Sequence, residues 1–215
     1  MNQNLFNAIL TGKNLDAKRF VQESLDAGIS PQEIIMDSMI PAMDEAGRRF
    51  EAHQFFVPQL MIAARAMKEA LAILSPLLAA TGTEPVAKVV IGTVMGDMHD
   101  IGKNLVASML EGAGFKVIDL GVNVAPEKFL NALRENQAEI LCMSALLTTT
   151  MPAMRKTIEA LNSAEMRDSV KVMIGGAPVT QAYADEIGAD GYSANANAAV
   201  ALARRLMTAF NGLVL

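Results

Sequence analysis

Two different rhythms of apolar residues divide this chain. From residue 1 to about 80 the pattern is helical throughout. Ser30-Pro31-Gln32-Glu33 combines a capping box with proline at the first helical position and so predicts a helix start. Upstream, Asn14 is placed to cap a helix running to Asp26, with Gly28 to end it. Over residues 56–78, Leu60, Ala63, Ala64, Met67, Leu71, Leu74 and Leu78 recur at three-to-four spacing, with Pro58 near the start. About four helices joined by short loops follow, most simply an antiparallel bundle. Pro41 falls inside the third helix and should kink or split it, because proline lacks an N–H and its ring crowds the preceding turn.

Residues 80–85 (Ala-Thr-Gly-Thr-Glu-Pro) are small, polar and breaker-rich, as an interdomain linker is. The expected domains are 1–85 and 86–215. Beyond the linker the grammar changes to short β-branched runs alternating with helical stretches. Strands are predicted at 88–94 (KVVIGTV), 116–120, 139–144, 170–174 and near Gly191. Helices are predicted at 101–112, 126–135, 152–164, 180–187 and 197–210. Such alternation specifies a parallel sheet covered by helices on both faces, and five units are the flavodoxin-like number. The fold class expected is therefore α/β: a four-helix bundle followed by a doubly wound five-stranded sheet. In strand order 2-1-3-4-5, ligands bind beyond the carboxyl ends of strands 1 and 3, where the winding reverses. Two polar loops meet there. One is Gly96-Asp97-Met98-His99-Asp100-Ile101-Gly102, and the other is Ser144-Ala145-Leu146-Leu147-Thr148-Thr149-Thr150.

Composition narrows the function classes. In 215 residues, 52% are apolar and 19% charged, a globular balance. A net charge of −5 without a basic run offers no phosphate footprint, so no nucleic-acid partner is expected. Mean hydropathy is +0.28, yet the longest apolar stretch is broken by Ser75 and Pro76, so no membrane span is expected. The N-terminus lacks a signal-peptide pattern, and one cysteine, Cys142, rules out a disulfide framework; a cytoplasmic protein is expected. The fifteen methionines read as fillers of irregular core space, with Met98 and Met151, which fall in the two loops, as possible exceptions.

Of the two histidines, His99 lies in the strand-1 loop with Asp97 two residues before it. A neutral imidazole is a good transition-metal ligand, and a carboxylate on its other nitrogen fixes the tautomer and strengthens it as a donor. The plainer reading of Asp-x-His is a helix-capping aspartate beside an incidental loop histidine. A single histidine does not hold a catalytic metal alone. A metal whose equatorial ligands come from a macrocycle needs only one, which leaves a haem or a corrin. Gly121 and Gly175-Gly176 leave the same sheet edge open for a ligand tail, along which Ser144 and Thr148 could hydrogen-bond.

At this point the residues resemble a known family, the cobalamin-binding modules of methionine synthase and the methyltransferase corrinoid proteins. The signature D-x-H-x-x-G, S-x-L, G-G stands here as Asp97-Met98-His99-Asp100-Ile101-Gly102, Ser144-Ala145-Leu146 and Gly175-Gly176. Residues 47–58 resemble the family's cap motif G-x-x-F-x-x-G-x-x-F-L-P, with His53 in place of the second glycine and Val57 in place of leucine. The resemblance implies a helical cap whose Phe50 and Val57 shield the methyl-bearing face of a corrin. It implies cobalamin bound base-off/His-on, with His99 as the cobalt ligand and Asp97 and Thr150 continuing a proton relay. The displaced benzimidazole tail would lie near Gly121, Ser144, Leu146, Thr148, Gly175 and Gly176, with Tyr192, Ser193 and Ala194 following strand 5 at the same edge. Gly96, Met98, Asp100, Ile101 and Gly102 would line the cofactor.

What the family implies for activity is methyl carriage: cobalt(I) accepts a methyl group, and methyl-cobalt(III) passes it to an acceptor. Nothing in the chain is expected to activate the substrate. The partners implied are a substrate-specific methyltransferase, an acceptor methyltransferase and a reductive activase, with 80–85 as the hinge that lets the cap move. The alternatives are a cobalamin-dependent sensor or regulator, an adenosylcobalamin mutase subunit, and a doubly wound domain without a cofactor. His53 reads as a solvated turn residue. Asp100 and Lys103 read as the start of the following helix, and Asn104 as a residue at the corrin edge.

Overall fold

A computed structural model of the chain describes residues 2–80 and 85–210; positions 81–84 of the expected linker lie outside the described residues. The chain divides into two compact units, Met1–Val86 with Ser108–Gly114, and Ala87–Ala107 with Phe115–Leu215.

The first unit contains α1 (Gln3–Leu10), α2 (Asn14–Asp26), α3 (Pro31–Ile34), α4 (Ile40–Glu51) and α5 (Val57–Ala80). A π-helical turn, Ile35–Met39, joins α3 to α4, so these three pieces make one long helix. Pro41 is the second residue of α4, directly after the π turn, whose wider winding accommodates the proline ring and its missing N–H. The helix is locally rewound at the proline and not split. The capping box at Ser30 and Glu33 forms as expected, and Gly28 ends α2 in the left-handed region at φ 79°. Asn14 does not cap α2. It is the first helical residue, and its side-chain amide donates instead to the Glu69 carboxylate at 3.0 and 3.1 Å. Glu69 also receives Lys18 and Arg65, a concentration of donors that outbids a local cap. Leu5, Ile9, Met39, Met43, Leu60, Met67 and Leu74 are fully or almost fully buried between the helices.

The second unit holds β1 (Lys88–Thr93), the first part of α6 (Ile101–Gly112, which passes into the first unit at Ser108), β2 (Lys116–Asp119), α7 (Pro126–Asn136), β3 (Ile140–Ser144), α8 (Pro152–Ser163), β4 (Lys171–Gly175), α9 (Gln181–Ile187), β5 (Gly191–Ser193) and α10 (Ala196–Phe210). All pairings are parallel, in the order β2-β1-β3-β4-β5. This is the expected doubly wound sheet. β1, β3 and β4 are buried on both faces, which is why they read as unbroken apolar runs, while β2 at the edge is partly exposed. Phe129, Leu133, Met154, Ile158 and Leu161 from α7 and α8 pack against Val90, Leu141, Val172 and Ile174.

The strand registers set Thr93 beside Ser144, Ser144 beside Gly175 and Gly175 beside Ser193. Small residues therefore form a row across the carboxyl edge of four strands. Tyr192 and Ser193 are part of β5 rather than following it, and Tyr192 packs against the core. The winding reverses between β1 and β3, so the loops after those strands flank the crevice expected of this topology.

Candidate functional site

At that crevice the chain leaves β1 through Val94, which makes an isolated parallel bridge to Val124, and turns at Gly96. Gly96 has φ 86°, which favours glycine. Asp97 then turns inward and is fully buried, while Met98, His99 and Asp100 are exposed. Its carboxylate is the hub of the site. Oδ1 accepts from His99 Nδ1 at 2.7 Å and from the His99 main-chain N–H at 3.1 Å. Oδ2 accepts from Thr150 Oγ1 at 2.7 Å and from the N–H groups of Leu146 and Leu147 at 2.8 and 3.3 Å.

The bond from Asp97 to the N–H two residues on is an Asx turn, and this, rather than extended backbone, brings Asp97 under the ring. Burial pushes the Asp97 carboxyl up. The bonds from Thr150, the His99 ring, the Leu146 N–H and the His99 N–H outweigh that and hold it well below the ordinary carboxylate range. An ionised carboxylate only accepts, so a ring proton sits on Nδ1, and in the neutral imidazole Nε2 then carries the lone pair. Nε2 carries no hydrogen bond among the described residues, and the side chain is 52% exposed.

Met95, Met98, Leu146 and Leu147 on the two loops, and Ile101 at the start of α6, are all 42% exposed or more, an unusual collection of solvated apolar side chains. Among the described residues no three His, Cys, Asp or Glu side chains come together to bind a metal ion. A metal taken up at Nε2 must therefore arrive with its remaining ligands, and the apolar rim suits a broad, largely apolar ring. The donor set fits a macrocycle.

The other residues predicted for the site stand in different settings. Thr150 is buried and joined to Asp97, whereas Thr148 is exposed in the same turn. Ser144 and Gly175 are half-buried at the ends of β3 and β4, and a Cβ on Gly175 would meet the Ser193 carbonyl at 3.2 Å. Gly176, at φ 130°, passes so close to Ala145 that a Cβ would lie 1.8 Å from its carbonyl oxygen. Around Gly121 and Gly102, by contrast, a Cβ would meet nothing within 4 Å. Ala194 is exposed just beyond β5. Phe50, half-buried at the end of α4, and Val57, exposed at the start of α5, belong to the helical unit. His53 between them takes φ 55°, which explains why a glycine is usual at this place and why histidine, one of the residues tolerant of that region, replaces it. Met151, by contrast with Met98, packs against the sheet core.

Three features lay outside the sequence reading. Lys103 lies in the first turn of α6, as expected. It is buried, and its Nζ reaches both oxygens of Asp119 at 2.6 and 2.7 Å and Asn104 Oδ1 at 2.6 Å. Thr93, also fully buried, donates from Oγ1 to the His99 carbonyl at 2.8 Å. Asn123 accepts the Gly96 N–H on Oδ1 at 2.8 Å and donates its own N–H to the Asp97 carbonyl at 3.0 Å. A polar residue within the apolar stretch VVIGTV was the available hint of Thr93.

Comparison with known proteins bears on both units. A family model described as a B12 binding domain matches residues 87–201, and a second of the same description matches residues 1–75. Dimethylamine corrinoid protein 1 of Methanosarcina acetivorans is 43% identical over 206 residues, 95% of this chain and 96% of that protein. A cobalamin-binding protein from Desulfitobacterium hafniense DCB-2 superposes with a TM-score of 0.78 at 32% identity, covering 94% of this chain and 96% of that one. The methanol:cobalamin methyltransferase complex MtaBC from Methanosarcina barkeri contains a chain that matches with a TM-score of 0.85 at 29% identity, covering 95% of this chain and 78% of that one.

Proposed function

The chain belongs to the family of B12-binding corrinoid proteins, and from that premise we propose that it carries a methyl group between two partner methyltransferases on the cobalt of a bound corrinoid. The observation that carries this reading is the His99 imidazole, with Nδ1 tied to a buried carboxylate and Nε2 without a hydrogen bond among the described residues, on a loop rich in exposed apolar side chains.

When bound, the corrinoid supplies the cobalt that takes up and releases the methyl group. The chain's own residues hold that cofactor and manage a proton. His99 would hold the cobalt through Nε2, with the cofactor's own base displaced. Asp97 and Thr150 would keep a ring proton at Nδ1, and this hydrogen-bonded chain is where a proton could be held or surrendered. Gly96, Met98, Asp100, Ile101 and Gly102 would line the corrinoid. Gly121, Ser144, Leu146, Thr148, Gly175, Gly176, Tyr192 and Ala194 would hold its benzimidazole tail, a reading supported by the open space at Gly121 and the row of small residues on the sheet edge.

Residues 1–85 would serve as the cap, with Phe50 and Val57 as the side chains to exclude water from the methyl group, and 86–215 as the corrinoid-binding domain. A cytoplasmic substrate-specific methyltransferase loads the methyl group from a small methylated compound. The relatives named for dimethylamine and methanol support an amine or an alcohol. A second methyltransferase unloads it, and a reductive activase restores the carrier after oxidation.

Anaerobic reconstitution tests the ligand role. Wild type with hydroxocobalamin is expected to show the visible spectrum of a histidine-ligated corrinoid, and His99→Ala to lose it while keeping weak corrinoid binding. An identical spectrum in both proteins defeats the assignment. Methyl carriage is tested by loading with methylcobalamin and adding an acceptor methyltransferase of a methylamine or methanol system with its thiol. Transfer from methylcobalamin and none from adenosylcobalamin is expected, and failure of transfer with every acceptor tried would overturn the carrier role.

A further inference from the structure

Taking His99 as the axial ligand proposed above, we propose that Thr93 and Asn123 are positioning residues that hold the main chain of the ligand loop, so that the imidazole stands in its binding position before the corrinoid arrives. Asp97 fixes the ring at Nδ1, but the place of the ring in space also depends on the backbone of residues 95–100. That stretch has no regular secondary structure, and Met95, Gly96, Met98, His99 and Asp100 are exposed. An exposed loop of this kind is ordinarily mobile.

Here its main chain is tied down on both sides of Met98. The Gly96 N–H donates to Asn123 Oδ1 and the Asp97 carbonyl accepts the Asn123 N–H. The Asp97 N–H donates to the Val94 carbonyl at 3.1 Å, and the His99 carbonyl accepts from Thr93 Oγ1. Neither anchor is free to follow a moving loop. Thr93 is the fully buried last residue of β1, in register with Ser144, its N–H donating to the Gly121 carbonyl and its carbonyl accepting from Val124, both at 2.9 Å. Asn123 precedes the Val94–Val124 bridge and takes φ 53°, a left-handed conformation that asparagine tolerates better than most residues. That turn presents both its N–H and its side-chain oxygen to the loop. Neither residue touches the ring, so their role is to act through His99.

Two substitutions isolate the clamp. Thr93→Val keeps the shape and removes the O–H. Asn123→Gly keeps access to the left-handed backbone and removes the side-chain oxygen at an exposed position, so it also serves if the buried substitution fails to fold. Thr93→Ser and Asn123→Asp are the conservative counterparts. In the ligand-free protein, NMR order parameters at the Met98 and His99 amides are expected to fall from the rigid range of about 0.85 towards about 0.6 in Thr93→Val and Asn123→Gly, and to recover in the conservative variants. With hydroxocobalamin bound, free imidazole is expected to displace His99 at a concentration about fivefold lower in each clamp variant, the effect of one net hydrogen bond. Lower melting temperature with unchanged order parameters and unchanged imidazole competition would mean a merely structural role and would overturn the proposal. The His99→Ala spectrum reports separately on the ligand assignment. If that fails, the ligand-free order parameters still decide whether the clamp exists.

Discussion

Replacing Asp97 with asparagine should change which nitrogen of His99 carries the proton. The side chain keeps its shape but has one oxygen instead of two. Placed at the Oδ2 position, that oxygen retains the bonds from Thr150, Leu146 and Leu147, which makes this the favoured orientation. The new NH2 then faces the His99 N–H and the ring nitrogen. Two donors confront each other at the main chain, and the ring is driven to accept on Nδ1, which moves its proton to Nε2. That tautomer presents a donor where a metal needs a lone pair. Two bonds to a charged acceptor are lost and one weaker neutral bond is regained, so the cost is about 3 kcal/mol. Denaturant unfolding at pH 7 measures it, and long-range nitrogen correlation spectra of the ligand-free protein identify the protonated ring nitrogen.

Acid adds a second check on the same residue. The Asp97 carboxyl is held below its unfolded value of about 3.9. Its contribution is therefore fully present above that value and is lost as pH falls through the folded one. The gap between wild type and Asp97→Asn should narrow as pH falls below about 4. A difference under about 1 kcal/mol at pH 7, with the proton still on Nδ1, would refute the reasoning.

Gly176→Ala should cost about 3 kcal/mol or more, because its Cβ would overlap the Ala145 carbonyl, whereas Gly121→Ala should cost only the backbone strain of about 1 kcal/mol; equal urea midpoints for the two would show the close approach to be unimportant. Asp119→Ala should destabilise by about 3 kcal/mol by stranding the buried Lys103 ammonium, and more than Lys103→Met, which removes the charge and keeps the apolar stem. The reverse order in unfolding experiments would contradict this. Burial pushes the Cys142 thiol up to about 12, so thiol-reactive dyes at pH 8 should label it only at the rate of unfolding, and rapid labelling of native protein would disprove its enclosure.

Short-range signals carried much of the architecture. The capping box at Ser30, the proline at 41 and the alternation of β-branched runs with helical stretches each act within a few residues, and each element formed where those forces put it. Strand order followed, because five alternating units have few ways to wind. The loop pair at the carboxyl edge was legible for the same reason, as was the separation of Asp97 from His99 by two residues. Asn14 was misjudged because a distant glutamate competed with the local cap.

What the chain order could not convey is which polar groups meet once the sheet closes. Thr150 and Leu146 reach Asp97 from about fifty residues away, Asp119 finds Lys103 across a strand and a helix, and Asn123 reaches back to Gly96. Such pairs have no periodicity, and their partners are chosen by the geometry of packed strands. Local sequence thus determined the elements and the chemistry offered by His99, while only the closed sheet decided that its proton sits on Nδ1 and that Nε2 faces outward, because a buried carboxylate must have every lone pair answered by whatever donors the fold brings within reach.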